Sequence, residues 1–223
     1  MEATLTPDFI HGALSRLASK DSERRLFGSS KHEYRLHPPV DANEISQFEE
    51  QNGIRLPDDY RFFITEIGNG GAGPAYGVFK FGEEDDGFDY CKWSNGYLVG
   101  DLSKPFVHSE SWNHTKEFWD KEPEISDELS EDEEDRLMEE WDSLLTAEYW
   151  SPSVMDGAIP VCHLGCAQRQ WLVINGPQRG YVWNDFRADQ EGIKPNMSSG
   201  GTPATFSMWY LTWLQSALDE YAQ

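Results

Sequence analysis

The chain has 223 residues, enough to bury a full core in one domain, and its 40 Asp and Glu against 18 Lys and Arg leave a formal charge of −22. That balance argues against a nucleic-acid ligand, which needs a positive footprint, and against docking on anionic lipid; it suits a basic protein partner, or solubility alone. Three cysteines (Cys91, Cys162, Cys166), no leader-like start in Met1 to Ala18 and no run near the ~18 apolar residues of a membrane span together predict a cytoplasmic chain.

Thr6-Pro7-Asp8 starts a helix whose apolar face is Phe9, Ile10, Ala13, Leu14 and Leu17. Ser19 to Pro39 is polar and reads as a loop or loosely packed connector. Asp41 is a good N-cap with Glu44 at the capping-box position, and Gly53 supplies the left-handed residue that ends this helix. Pro57 opens the next, with Asp58 and Asp59 favourable in its first turn. Tyr60, Phe63, Ile64 and Ile67 fall on one face, and Gly68 ends the run. Tyr76 to Phe81 reads as a strand, followed by the acidic turn Glu83-Glu84-Asp85-Asp86-Gly87 and by Tyr90 to Trp93; Tyr97-Leu98-Val99 is a further short candidate.

Ser130 caps a helix with Glu133 at the capping-box position, and Leu137, Met138, Trp141, Leu144 and Leu145 predict a fully apolar face. Ile159 to Leu164, Trp171 to Ile174 and Tyr181 to Asn184 read as strands, the last two joined as a hairpin through Asn175-Gly176-Pro177-Gln178-Arg179-Gly180. Thr202-Pro203 begins a final helix presenting Phe206, Trp209, Tyr210, Trp213, Leu214, Ala217 and Tyr221. The expected class is α+β: N-terminal helices on an antiparallel or mixed sheet, with a closing C-terminal helix, in a single domain.

Two blocks of these residues carry a family resemblance. The run Gly53-Ile54-Arg55-Leu56-Pro57-Asp58-Asp59-Tyr60, then Phe62-Phe63 and Gly68-Asn69-Gly70-Gly71, resembles the opening signature of the SUKH superfamily. That group includes a yeast cell-wall regulator and many bacterial immunity proteins. Gly157 to Cys166, Trp171 to Gly176 and Gly180 to Asp185 resemble its later strands in order. Neither block is a catalytic motif. Ser109 to Trp150 departs from the compact family core and reads as an insertion.

That insertion is the largest chemical asymmetry. Between Ser109 and Glu148 stand sixteen acids and three bases, a net −13 of the −22. A solvated helix face complementing the macrodipole explains such a run without function. The functional alternative is a surface that meets a cationic partner through Glu83, Glu84, Asp85, Asp86 and Asp89 together with Asp127, Glu128, Glu131, Asp132, Glu134 and Asp135. Trp112 and Trp119 would then serve as aromatic anchors.

Metal and nucleophile readings are weak. Aligning Gly87 with the invariant glycine of a calcium loop puts Gly82 and Trp93 where carboxylates belong. Cys162 and Cys166 lack the second half of a zinc site, and in a strand Cys162 and His163 point to opposite faces. The expectation is small, half-buried cysteines at a strand end, with no metal, no cofactor and no catalysis. The resemblance implies an immunity protein that occludes a cognate toxin domain; many toxins paired with the family are nucleases, commonly basic, to which a chain of charge −22 is the electrostatic counterpart. A monomer or a homodimer is expected. A regulatory scaffold of the cell-wall-regulator type is the alternative, and a cysteine hydrolase at Cys162 the third.

Overall fold

Pro7 at the first helical position starts α1 (Pro7–Lys20), which buries Ile10, Ala13, Leu14 and Leu17 along one face. The structure, a computed structural model, describes residues 5–85, 90–93, 98–126 and 129–221. The connector after α1 is not loose. It forms a helical turn, α2 (Ser29–His32), and closes on the buried carboxylate of Asp21. That carboxylate accepts from the Tyr34 hydroxyl at 2.6 Å, the Arg25 N–H at 2.7 Å and the Ser29 hydroxyl at 2.8 Å. Asp21, Ser29 and Tyr34 pair with one another in the interior, which composition alone does not reveal.

α3 (Ala42–Asn52) is capped by the Asp41 side chain, which accepts from the Asn43 N–H, and ends on Gly53 at φ 63°. α4 (Asp58–Phe62) follows Pro57 and widens into a π turn, Phe63–Ile67. Residues 76–81 make a single bridging position instead of the expected strand. Val78 bridges Gly71 on one side and Cys162 on the other, and the Phe79 N–H donates to the Val161 carbonyl at 2.9 Å. Ala75 at φ 45° and Gly77 at φ 103° bend the chain away from extended geometry before a ladder can form. The acidic turn is itself strand: β1 (Glu83–Asp85) pairs antiparallel with β2 (Tyr90–Lys92). The candidate strand at Tyr97 falls partly outside the described residues.

α5 (Lys116–Trp119) and α6 (Glu131–Leu144) occupy the acidic segment, and α6 widens into a second π turn, Leu145–Tyr149. β3 (Ala158–Gly165), β4 (Gln168–Val173), β5 (Val182–Asp185) and β6 (Ile193–Pro195) then form an antiparallel sheet in that order. β3 and β4 turn through Cys166 and Ala167, both at positive φ, the two-residue geometry that suits strand twist. α7 (Phe206–Glu220) closes the fold. It begins later than Thr202-Pro203 because the chain there is still extended. The Ala204 N–H donates to Asn196 and the Val182 N–H to Ala204, so Thr205 becomes the cap.

Side chains alternate along the strands, so each sheet face has its own cover. Trp171 and Trp183 lie opposite each other on β4 and β5, and Phe106 lies 4.9 Å from Trp183. Gln170, one residue along, faces the other way and accepts the indole N–H of Trp209 on α7 at 3.1 Å. α7 in turn carries α4 and its π turn: Tyr60 and Phe63 lie 5.0 and 5.2 Å from Phe206, and the Asp59 carboxylate accepts the Ser207 N–H at 2.9 Å. Each sheet edge is bridged at one position, β3 by Val78 and β6 by Trp112. The architecture is α+β, with helices packed over an antiparallel sheet and a C-terminal helix closing it.

Candidate partner-binding surface

The acidic segment is built on aromatic rings. Phe118, Trp141 and Tyr149 form a second buried apolar cluster, with Trp112, Trp119, Leu144, Leu145 and Trp150 packed partly buried around it. Trp119 lies edge-on to Tyr149 at 4.8 Å, and the His114 ring stacks on Phe118 at 3.8 Å. Such pairs add about 0.5–1.5 kcal/mol each beyond the area they bury.

A buried ion pair joins this cluster to the sheet. Arg187 donates from Nε and Nη2 to the two Asp185 oxygens at 2.9 and 2.7 Å, with both side chains almost wholly buried. The Trp171 indole N–H reaches the same carboxylate at 3.1 Å. Arg187 Nη1 donates to the Tyr149 carbonyl at 3.0 Å, and its guanidinium lies over the Trp150 ring at 5.2 Å. The Tyr149 hydroxyl accepts the Gly192 N–H at 3.1 Å. Sheet charge and segment backbone are therefore satisfied together, as a buried pair requires.

α6 is exposed over most of its length ahead of Trp141. The Glu133 carboxylate accepts from the Ser130 N–H at 3.1 Å and the Ser130 hydroxyl at 2.7 Å, the capping box expected. The fully apolar face expected for α6 is covered only at its C-terminal end: Trp141 is buried, Leu144 and Leu137 half-buried, and Met138 exposed. Over its fourteen residues stand eight acids and one base, Arg136, which pairs with Glu140 at 3.5 Å. Glu131, Asp132 and Asp135 are exposed and Glu134 is half-buried.

The other predicted residues divide. Glu83, Glu84 and Asp85 form β1, and Glu83 pairs with Lys80 at 3.6 Å. Asp86, Asp89, Asp127 and Glu128 lie outside the described residues. Trp112 is half-buried, its N–H donating to the Ile193 carbonyl at 2.9 Å and its ring 5.8 Å from Tyr149; Trp119 is likewise half-buried. A groove of about 860 Å³ runs between Trp93, just past β2, and the stretch 151–156 that follows α6. Its wall includes Asp101 and Asp156, which share Lys104 at 3.7 and 3.8 Å. Hydrogen bonds from the Ser103 hydroxyl and N–H hold the Asp101 carboxyl below its ordinary pKa.

The cysteines are placed differently from expectation. Cys162 is fully buried within β3, and burial pushes its thiol well above the ordinary range, which disfavours the thiolate a nucleophile needs. Cys166 is exposed at the hairpin turn. His163 is half-buried, its ring stacked on Tyr76 at 5.7 Å. Among the described residues no three His, Cys, Asp or Glu side chains group as a metal site. None of their helices is long and apolar enough to cross a membrane.

Sequence reasoning missed the Asp185–Arg187 pair. The available signal was a strand that ends in an acid and is followed two residues later by an arginine. It also missed a pocket between α2 and residues 71–83, foreshadowed only by six Lys and Arg against three acids over residues 16–37. No curated protein and no solved structure matches the chain. The family model described as SMI1 / KNR4 family (SUKH-1) matches residues 39–198, from just ahead of α3 to just past β6. The chain is therefore a member of the SMI1 / KNR4 family (SUKH-1).

Proposed function

We propose that this protein is a binding module without chemistry of its own, an immunity protein that occludes a basic toxin domain through the acidic surface of α6. The supporting observation is the exposure of α6: a helix with a net charge of −7 stands out from a packed aromatic base, with one base of its own to offset eight acids. Like charges held together on an isolated surface repel, and a cationic partner relieves that repulsion. Charge complementarity would steer and accelerate encounter, while residence time would come from the less polar contacts made once the partner has docked. A fixed base under α6 also lowers the ordering cost of binding. Family membership keeps a second reading open, a regulatory scaffold with several weaker partners.

The test is protection. Co-expression with the toxin domain encoded beside this gene should rescue growth, and purified protein should form a stable complex with that domain. Rescue without complex formation, or an isolated gene with no basic partner domain nearby, would favour the scaffold.

A further inference from the structure

α1 carries an exposed glycine, Gly12, inside a 14-residue helix, where glycine is the least favourable residue after proline. Crowding does not account for it, since a Cβ placed there would meet no described atom within 4 Å. Backbone geometry does not account for it either, because Gly12 is ordinary right-handed helix and stands apart from the glycines at positive φ. A helix without a side chain at an open position lets a second backbone come close.

Gly12 lines a groove of about 450 Å³ between α1 and α7. α1 contributes Asp8, Phe9 and Arg16 besides the glycine, and α7 contributes Leu218 and Asp219. Phe9 and Leu218 are half-buried and pack on the main core, which gives the groove an apolar floor. The Asp219 carboxylate is already engaged, accepting from the Gln215 amide at 2.7 Å. Asp8 and Arg16 are exposed, and neither side chain has an ion pair or hydrogen bond with a described residue. They stand four residues either side of Gly12 on one helix row, about 12 Å apart along the axis and too far to pair with each other.

That row is complementary to itself. A two-fold axis at Gly12 sets each residue four places before it opposite the residue four places after it in the other copy, so acid meets base twice. Rows at this spacing are also the ridges through which helices cross at about −50° and pack into each other's grooves. The charge distribution favours the same face. Residues 7–37 hold six bases and four acids, a net +2 in a chain of −22, so two copies repel less here than across the acidic remainder.

We infer that α1 pairs antiparallel with α1 of a second copy across a two-fold axis at Gly12, with Asp8 of each copy meeting Arg16 of the other. Each α1 seats in the groove between the other copy's α1 and α7, which covers Phe9 and Leu218 further. A pair of helices this short buries less than the ~1,200 Å² of a standard interface, so the dimer is weak, with a Kd on the order of 10 µM. The inference does not depend on the reading given to α6.

The experiment is sedimentation velocity of the full chain from about 1 to 200 µM, in about 150 mM salt, where a Debye length of ~8 Å screens the general repulsion between copies. The wild type should pass from monomer to dimer across that range. Gly12→Leu, whose side chain enters open space, should melt no lower than wild type and weaken the dimer at least about tenfold. Asp8→Arg and Arg16→Asp each put like charges opposite one another at both ends of the row and should each weaken it about tenfold. An equimolar mixture of those two variants should recover near wild-type association, because a copy with two acids then faces a copy with two bases. A wild type still monomeric at about 200 µM, a dimer that Gly12→Leu leaves intact, or a mixture no tighter than either variant alone would overturn the inference.

Discussion

Arg187 grips both oxygens of Asp185 and with its remaining amine holds the backbone carbonyl of Tyr149, 38 residues earlier in the chain. One guanidinium thereby fixes the acidic segment to the sheet. Removing it would leave a carboxylate buried with, among the described residues, only the Trp171 indole and the residue-187 backbone N–H as donors.

Arg187→Met should therefore destabilise the chain by about 3–5 kcal/mol in urea unfolding, the usual penalty for orphaning a buried charge. Arg187→Lys should recover little, because an ammonium cannot span both Asp185 oxygens and the Tyr149 carbonyl. The double variant Asp185→Asn/Arg187→Met should be less damaged than Arg187→Met alone. Equal stability of Arg187→Met and wild type would show that the pair does not carry this attachment.

Trp141→Ala tests the base of α6. It empties the centre of the second cluster, where the ring lies 5.4 Å from Phe118, and should cost about 3–5 kcal/mol locally. Hydrogen exchange should show α6 amides losing protection while those of β4 and β5 keep theirs. Uniform loss across the sheet would mean that the two clusters unfold as one.

Stability should respond to acid in two separate windows. The unfolded chain protonates its histidines near ~6.5, but His32 stays neutral in the fold until about 4, held there by burial and then by the Arg24 charge. The unfolded state binds more protons between those values, so stability falls as pH drops from ~6.5 to 4, by at most about 1.4 kcal/mol per pH unit for this group. His37 and His108 are lowered by burial too and act in the same direction. Asp21 behaves otherwise: burial would raise its pKa, yet hydrogen bonds from Tyr34, Arg25, Ser29 and Tyr221 outweigh it and hold it below the ordinary value. Its contribution is present above ~4 and lost below. Urea midpoints from pH 8 to 3 should show both slopes, with Tyr34→Phe lowering stability above ~4 and flattening the second. A flat profile between pH 7 and 5 would contradict the histidine assignment.

Much of the fold was legible because short-range chemistry decided it. The Asp41 cap, the Gly53 stop, the Ser130–Glu133 box and the apolar faces of α1 and α7 all appear at or within a few residues of their expected places. Failures occurred where distant contacts decide. Residues 76–81 have strand-forming side chains, but Gly77 and Ala75 turn them away after one bridge. The connector at 19–39 looked loose because nothing local shows that Asp21, Ser29 and Tyr34 converge. At the candidate surface the charge of α6 was readable residue by residue. The inward packing of Trp141 and the half-burial of Trp112 and Trp119 were not, since helical spacing says which side chains share a face and not what covers it.

Replacing Glu131, Asp132 and Asp135, which are exposed, and the half-buried Glu134 by Gln and Asn should leave folding nearly unchanged, since surface charges are worth only about 0–1 kcal/mol each. Glu133 is kept because it completes the cap of Ser130. With the proposed toxin partner, the substituted chain should associate more slowly and dissociate at a nearly unchanged rate.

The most direct test of the proposed electrostatic capture is the association rate of the intact protein with the toxin domain proposed as its partner, as a function of ionic strength. Between about 50 and 500 mM salt the Debye length shrinks to well under 10 Å, so steering by α6 predicts a steep fall in association rate and a much weaker dependence for the substituted chain. An association rate that stays flat across that range, or the same slope in both proteins, would contradict capture through this surface.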